Sequence, residues 1–566
     1  MDSPSGLDSS LNYVATHSET LEIKTLPKLP KSRLEELSTQ LQELDDQYIQ
    51  LRNEQSSLLL FASKHRALIS LIRKLPIDVL QEIFFACLPT THNAVMSRWE
   101  PPILLTQICS FWRNVAHATP QLWKSIHIAL PCHKSGTNSC EYPYFSSTLV
   151  EHIDRRSEAI LEWLSRSAAY PLDISLGQLG LVGNSSLDGL HDKIIDHLIR
   201  FSERWRDVRF SAPSMALLTV ATLPPSKFPL LETLSLNFLP GAPIPPVHFT
   251  QVDPQSVWMT SGVLKAPKLR DLSLHSSCIL LAQLKGDVTR LPINWSQLTN
   301  ISIEANSWGA PHSFTASRAY KLLSLCRNLI TCRLEIDSIT EHGEELPLET
   351  TALISLPFLT KLSVHEQNTS LSRLFTLLHL PSLICIEFHS SIRPTHQSST
   401  SLLSLLTRFH NTTQLITDTR FFTRQDFIKC LRLCPLLKSL SIRKFALCTM
   451  PGIPAFRVDD AFLKLFIESS NDEGYLCPHL EDFESSSDTA FSETALLQFV
   501  KEKNGGSNTG LTKLKHLSVV FYYRPLSDVN QELEPYEQAG LVATITYPFI
   551  AHFSAFGGLP GYLSPY

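Results

Sequence analysis

The 566-residue sequence carries little charge, 18% of its residues, and no surplus of either sign large enough to define a partner. A net charge of −5 excludes the basic balance that draws proteins to nucleic acid or anionic lipid. The cluster "RWRDVR", Arg204 to Arg209, is too short to alter that and reads as solvated charge at a helix end. Paired CxxC spacing is missing among the twelve cysteines, which argues against zinc modules and disulfide-dense secreted scaffolds. Scattered through apolar runs, they are expected to be reduced and buried in a cytoplasmic or nuclear protein. Cys430 and Cys434 can share a helix face, and core thiols are the favoured reading over metal ligands.

Leader and membrane signals are also missing. "MDSPSGLDSSLNY" has no basic stretch followed by an apolar run, so no secretory signal is expected. The closing "GLVATITYPFIAHFSAFGGLPGYLSPY" has no acidic or basic residue, but Pro548, His552, Gly557, Gly558 and Pro560 interrupt it. A membrane span needs about 20 sustained apolar residues, so a last strand and an irregular cap are expected instead.

Catalytic signatures are equally sparse. "GQLGLVG", Gly177 to Gly183, has neither GxGxxG spacing nor a following P-loop lysine, and reads as a surface turn. "HEQNT", His365 to Thr369, lacks the second histidine of a zinc-protease helix and reads as a loop between repeats. No GxSxG elbow or kinase signature is present. Asp45-Asp46 and Asp459-Asp460 are merely adjacent, so no active-site geometry follows. A non-catalytic protein without cofactor or metal is expected.

What the chain has is hydrophobicity, 43%, arranged in three patterns. Residues 1–30 are Ser-rich and aperiodic, the composition of a disordered arm. Within 31–73, Leu34, Leu37, Leu41, Leu44, Tyr48, Leu51 and Leu58 form an a/d heptad stripe broken by Gln55. That stripe suits either a homodimer through residues 34–58 or a fold back onto the next module.

The second pattern is a pair of apolar helices. "LPIDVLQEIFFACLP" places Pro76 at a helix start and Pro89 at its stop. Its polar residues Asp78, Gln81 and Glu82 leave most of the circumference apolar. "ILLTQICSFWRNVAHA", Ile103 to Ala118, is expected to be one amphipathic helix, and "PQLWKSIHI" places Leu122 and Trp123 against the pair. A unit of about fifty residues buries little surface alone, so the surplus apolar face calls for a cover.

The third pattern is a repeat. "FPLLETLSL" recurs as "APKLRDLSL", "WSQLTNISI", "LPFLTKLSV", "LPSLICIEF", "CPLLKSLSI" and "LTKLKHLSV", with weaker copies "CRNLITCRL" and "CPHLEDFES". The first leucines of the phrase are 231, 269, 298, 329, 359, 383, 437, 480 and 514. The interval from 383 to 437 fits two repeats, the missing one near "NTTQLIT", Asn411 to Thr417. L-x-x-L-x-L at this spacing is the mark of leucine-rich repeats, with helical runs between strands at Ala316 to Cys326, Leu371 to Leu380 and Thr400 to Phe409.

"LPIDVLQEIFFACL" followed by "PPILLTQICSFWRNVAHATPQLWKSI" resembles an F-box, especially those of mushroom-forming (basidiomycete) fungi, which also carry a heptad helix and an "IRKLP"-like entry, here Ile72 to Pro76. "WLSRSAAYPLDISL" and "RWRDVRF" resemble that group's first repeat. The resemblance covers about residues 34–520. It implies docking on a Skp adaptor within a cullin-RING ubiquitin ligase, with the repeats binding a protein substrate. It places the adaptor contacts on Leu75, Pro76, Leu80, Ile83, Leu105, Ile108, Cys109 and Trp112, and gives Trp123 an intramolecular packing role. The loop Thr90 to Glu100 is longer than the generic motif.

The expected fold class is α+β multi-domain. A disordered arm (1–30) precedes the heptad helix (31–73), an all-α F-box module (74–128) and a linker with a helix (129–162). An irregular α/β leucine-rich-repeat solenoid (163–530) and a C-terminal cap or tail (531–566) follow. The alternative is a leucine-rich-repeat interaction scaffold, dimerised by its N-terminal helix, whose apolar helices cap the array.

Overall fold

A computed structural model describes residues 16–25, 28–68, 75–130, 147–178, 188–239, 254–275, 284, 287–304, 314–337, 352–368, 370–392, 401–443, 456–469, 474–486, 489–505, 510–521 and 529–547. The fold is mixed helix and strand, with an N-terminal helix and a large parallel sheet. Two compact units are distinguished, Met1–Ile83 and Phe84–Tyr566.

The first unit begins with α1 (His17–Thr25) and α2 (Lys28–Leu68). Residues 17–25 are thus helical within the stretch 1–30 expected to be a disordered arm, and residues 1–15 of that stretch lie outside the described residues. Lys24 in the last turn of α1 complements the negative end of the helix dipole. The second helix, α2, is a 41-residue helix that takes in the whole heptad stripe. Residues 69–74, with the end of the expected heptad segment, lie outside the described residues. The division between the units falls within α3 (Ile77–Ala86), whose Leu80 N–H donates to the Pro76 carbonyl.

In the second unit the expected single helix Ile103 to Ala118 is two helices, α4 (Ile103–Ile108) and α5 (Ser110–His117). The break is at Cys109, which is fully extended (φ −160°, ψ 169°) and caps α5, its Sγ accepting from the Trp112 N–H at 3.4 Å. A thiol is not a residue that periodicity marks as a cap, so an unbroken apolar stripe concealed the corner. A 3₁₀ turn (Pro120–Trp123) leads into β1 (Ser125–Leu130).

That strand begins one sheet, which therefore starts at Ser125 rather than after residue 163. Its next members are β2 (Leu172–Gln178), β3 (Trp205–Pro213), β4 (Thr233–Leu239), β5 (Asp271–His275), β6 (Asn300–Ile303) and β7 (Thr331–Asp337). After a two-residue strand β8 (Ile354–Ser355) come β9 (Lys361–Gln367), a short β10 (Leu378–His379) paired with β8, and β11 (Cys385–Ser390). The last are β12 (Gln414–Thr417), β13 (Ser439–Ile442), β14 (Asp482–Ser485), β15 (His516–Val520) and β16 (Val542–Thr546). Apart from the β8–β10 pair, the described strands form one 14-stranded sheet in which neighbours follow chain order. The pairings are parallel, from β1·β2 through β15·β16. β16 pairs with β15, so the described part of the sheet runs to Thr546 and includes the last strand expected in the closing stretch, inside residues 531–566 assigned to a cap or tail.

Each repeat phrase maps onto a strand in the same way. The strand starts two residues after the anchor leucine: Leu231 precedes Thr233, Leu269 precedes Asp271, and Leu437 precedes Ser439. The missing copy is β12, where Thr412 takes the anchor place and is itself fully buried. Parallel register then stacks Leu234, Leu272, Ile301, Cys332, Leu362, Ile386, Leu415, Leu440, Phe483 and Leu517 as neighbours, all buried. A strand and its following helix cannot bury this row alone; the next repeat completes it. Gly262 is required by close approach: a Cβ there would lie 2.1 Å from the Leu223 carbonyl oxygen.

The described cysteines Cys326, Cys332, Cys385, Cys430, Cys434 and Cys477 are buried, Cys109 is half-buried and Cys87 is exposed. Burial pushes the Cys326 and Cys434 thiols up to about 12. Such thiols stay protonated and pack as small hydrophobes. No described helix is long and apolar enough to cross a membrane.

Candidate docking surface and charged strand face

The residues matched to the F-box pattern divide by exposure. In the first unit Leu75 is half-buried and Pro76 exposed, Leu80 has no exposed surface, and Ile83 is 38% exposed. Ile77 and Val79, which the pattern did not single out, are also open.

In the second unit Leu105 is buried, Cys109 and Trp112 are half-buried, and Ile108 is 54% exposed. Packing fixes this division. The Arg113 guanidinium Nε donates to the Thr106 carbonyl at 2.8 Å and locks the corner between α4 and α5. The Trp112 ring lies 4.9 Å from that of Phe84. Trp123 is sealed inside: its Nε1–H donates to the Ala116 carbonyl at 2.9 Å, and Trp163 meets it edge-on at 4.9 Å. The Arg166 guanidinium lies 4.7 Å from the Trp123 ring centre. His117 stacks on the same indole, and burial together with Arg166 lowers its pKa. What remains open is Ile108 and Phe111, with Trp99 on the loop before α4 at 74% exposure. Phe111 and Trp112 are adjacent apolar residues in the sequence, and only the Cys109 corner determines which of them faces out.

The long loop Thr90 to Glu100 has a structural task. Val95 pairs with His127 as a parallel bridge, and the His127 N–H donates to the Ala94 carbonyl at 2.7 Å. Asn93 ties the loop inward, donating to Ser175 Oγ at 3.1 Å and accepting from Ser125 Oγ at 2.9 Å. The loop therefore occupies hydrogen-bonding groups that an edge strand leaves open. Beside it is a cleft of about 420 Å³ lined in part by His92, Lys124, Asp173 and Arg209.

The sheet's other face is polar and partly open. Register aligns Ser175, Arg209, Ser235, Ser273, Ser302, Arg333, Ser363 and Glu387. At its centre Arg333 Nε meets Glu304 at 2.7 Å and Arg333 Nη1 meets Glu387 at 3.5 Å. Lys361 lies 3.3 Å from Glu387, and His275 3.2 Å from Glu304. Burial would raise the Glu387 pKa, but His389, Arg333 and Lys361 outweigh it and hold the carboxyl at about 2. Glu366, on the same strand as His365, goes the other way because burial dominates over its bonds to Ser401 and Ser390.

Two sequence readings are corrected here. His365, Glu366 and Gln367 of "HEQNT" belong to β9 and not to a loop. "RWRDVR" begins at a helix end, Arg204 closing the 3₁₀ turn Ser202–Arg204, but its other two arginines lie on β3, where Arg206 pairs with Asp173 at 2.5 Å and Arg209 with Asp207 at 2.9 Å, so most of the cluster is strand charge. Both were hidden because opposite charges sit about thirty residues apart or alternate within one short strand.

Ser391 Oγ lies 3.0 Å from His365 Nε2, and His365 Nδ1 is 3.5 Å from Glu335. The order is that of a nucleophile, base and orienting acid. Two amides beside Ser391 Oγ in the chain are already used: Ser391 N–H donates to the Glu366 carbonyl and Ile392 N–H to Ser390 Oγ. Acyl transfer needs donors aimed at the developing oxyanion, and these two are committed elsewhere. Among the described residues no group of His, Cys, Asp and Glu is arranged to hold a metal ion.

No protein-family model matches the chain, and comparison with curated proteins gives no match.

Proposed function

We propose that the chain is a non-catalytic substrate receptor that docks on a Skp adaptor of a cullin-RING ubiquitin ligase through α3, α4 and α5, while its leucine-rich repeats bind a protein substrate. The observation that carries the reading is the exposure of apolar residues in the F-box-like segment, each unit taken by itself: Ile83 in the first, Ile108 and Phe111 in the second. Apolar anchors of this type dominate affinity when a partner desolvates them. The charged face around Arg333 and Glu387 is the substrate-facing surface in this reading, because polar side chains on a rigid sheet supply specificity.

Capture of a Skp adaptor by the full chain tests it. Ile83→Asp with Ile108→Asp is expected to weaken capture at least 100-fold while leaving thermal unfolding unchanged. Leu80 and Leu105 are unsuitable for the test, since both are buried. Undiminished capture by the double variant, or none by the parent at micromolar concentration, removes the proposal.

A second reading, a repeat scaffold whose apolar helices cap the array, is supported by that same burial of Leu80 and Leu105. Such a scaffold binds no Skp adaptor, so the experiment separates the two.

A further inference from the structure

We infer that α2 pairs with α2 of a second copy of this chain as a parallel, in-register two-stranded coiled coil. The inference is independent of the adaptor reading and concerns a different surface.

All seven stripe residues are exposed: Leu34 66%, Leu37 41%, Leu41 63%, Leu44 60%, Tyr48 61%, Leu51 66% and Leu58 59%. From Leu34 to Leu58 the stripe spans about 36 Å at a 1.5 Å rise per residue. A Leu-sized side chain open to this degree offers roughly 100 Å². Two such stripes together would cover about 1,400 Å², within the range of about 1,200–2,000 Å² found for stable, specific interfaces.

Charge selects the same chain as the partner. With Leu34 at heptad position a, the flanking e and g positions hold Arg33, Ser38, Gln40, Asp45, Gln47, Arg52, Glu54 and Leu59. Two positive and two negative charges balance, so the helix has no need of an oppositely charged partner.

Orientation follows from Gln55 and Asp45. In a parallel pair Gln55, at position a, meets Gln55 of the second copy, where two amides can bond to each other. The g-to-e contacts are then Arg33 with Ser38, Gln40 with Asp45, Gln47 with Arg52 and Glu54 with Leu59, none of them like-charged. An antiparallel pair centred on the stripe sets Gln55 against Leu37 and Asp45 against its own copy. A buried amide facing a leucine loses its hydrogen bonds, and opposed carboxylates repel. A single polar residue at position a thus fixes register at some cost in stability.

Sedimentation equilibrium of the full chain is the test. The parent is expected at twice 63.6 kDa at micromolar concentration, and Leu44→Asp with Leu51→Asp at the monomer mass, with thermal unfolding of the rest unchanged. Leu51→Cys is expected to form a covalent dimer on oxidation, above the background of the parent, because only parallel pairing brings position 51 beside itself. A monomeric parent, a dimer that survives the double aspartate variant, or a dimer without the Leu51→Cys bond overturns the inference. A stability of the double aspartate variant below the parent's at nanomolar protein, where association does not contribute, also overturns it, since α2 would then be packed within its own chain.

Discussion

Leu440 and Leu44 are the same residue in the same chain, yet one has no exposed surface and the other is 60% exposed. The sheet leucines recur at intervals that run mostly from the twenties to the thirties, so each is covered by the copy in the next repeat. The helix leucines recur every three or four, so they lie along one line and cannot cover each other. Period decides whether an apolar pattern becomes core or interface.

The sharpest way to break this comparison is to truncate one leucine of each kind. Leu440→Ala is expected to cost about 2–5 kcal/mol through lost burial and a cavity that rigid neighbours cannot fill. Leu44→Ala is expected to stay within about 0.5 kcal/mol, as for other exposed positions, when denaturant unfolding is followed at nanomolar protein so that association does not contribute. Equal costs would mean that α2 is part of a packed core.

The two faces of the sheet are contrasted by acid. Glu387 is held at about 2, against an ordinary value of 4.5. Its pKa is lower in the folded chain, so its contribution is complete above about 4.5 and is lost as pH falls towards 2. At about 1.4 kcal/mol per pKa unit, up to about 3 kcal/mol is involved. Stability of Glu387→Gln is expected to fall less steeply than the parent's between pH 4.5 and 2, measured by urea midpoints. The same acid slope in both would place the effect in other carboxylates.

Legibility followed the same division. The apolar rows were readable because leucine anchors, strand starts and buried neighbours all repeat: the anchor at 437 alone located β13, and the gap before it located β12. The charged face was not. Arg333 meets Glu304, the residue just after the preceding strand β6, and Glu387 two strands on, and nothing in either local sequence names its partner. At the helices, periodicity identified Ile108 and Trp112 as apolar but could not separate open from covered, because the extended backbone at Cys109 rotates α5 away from the face that a continuous helix would present. Leu80 and Ile83 show the same limit: both belong to one apolar surface in the sequence, and only packing separates the buried one from the open one.

The smallest effect lies within the α4–α5 corner, where both kinds of apolar residue occur seven positions apart, Ile108 at the end of α4 and Val115 within α5. Val115 is 6% exposed and Ile108 is 54% exposed. Val115→Ala is expected to cost about 1–2 kcal/mol, the loss of two buried methyl groups. Ile108→Ser is expected to change stability by less than about 0.5 kcal/mol, because water already reaches most of the side chain. Thermal and denaturant midpoints of the two full-length variants decide the matter. If Ile108→Ser matches Val115→Ala, Ile108 is a core residue, and the open surface on which adaptor docking rests does not exist; if it leaves the midpoints where they were, that surface is free for a partner at no cost to the fold.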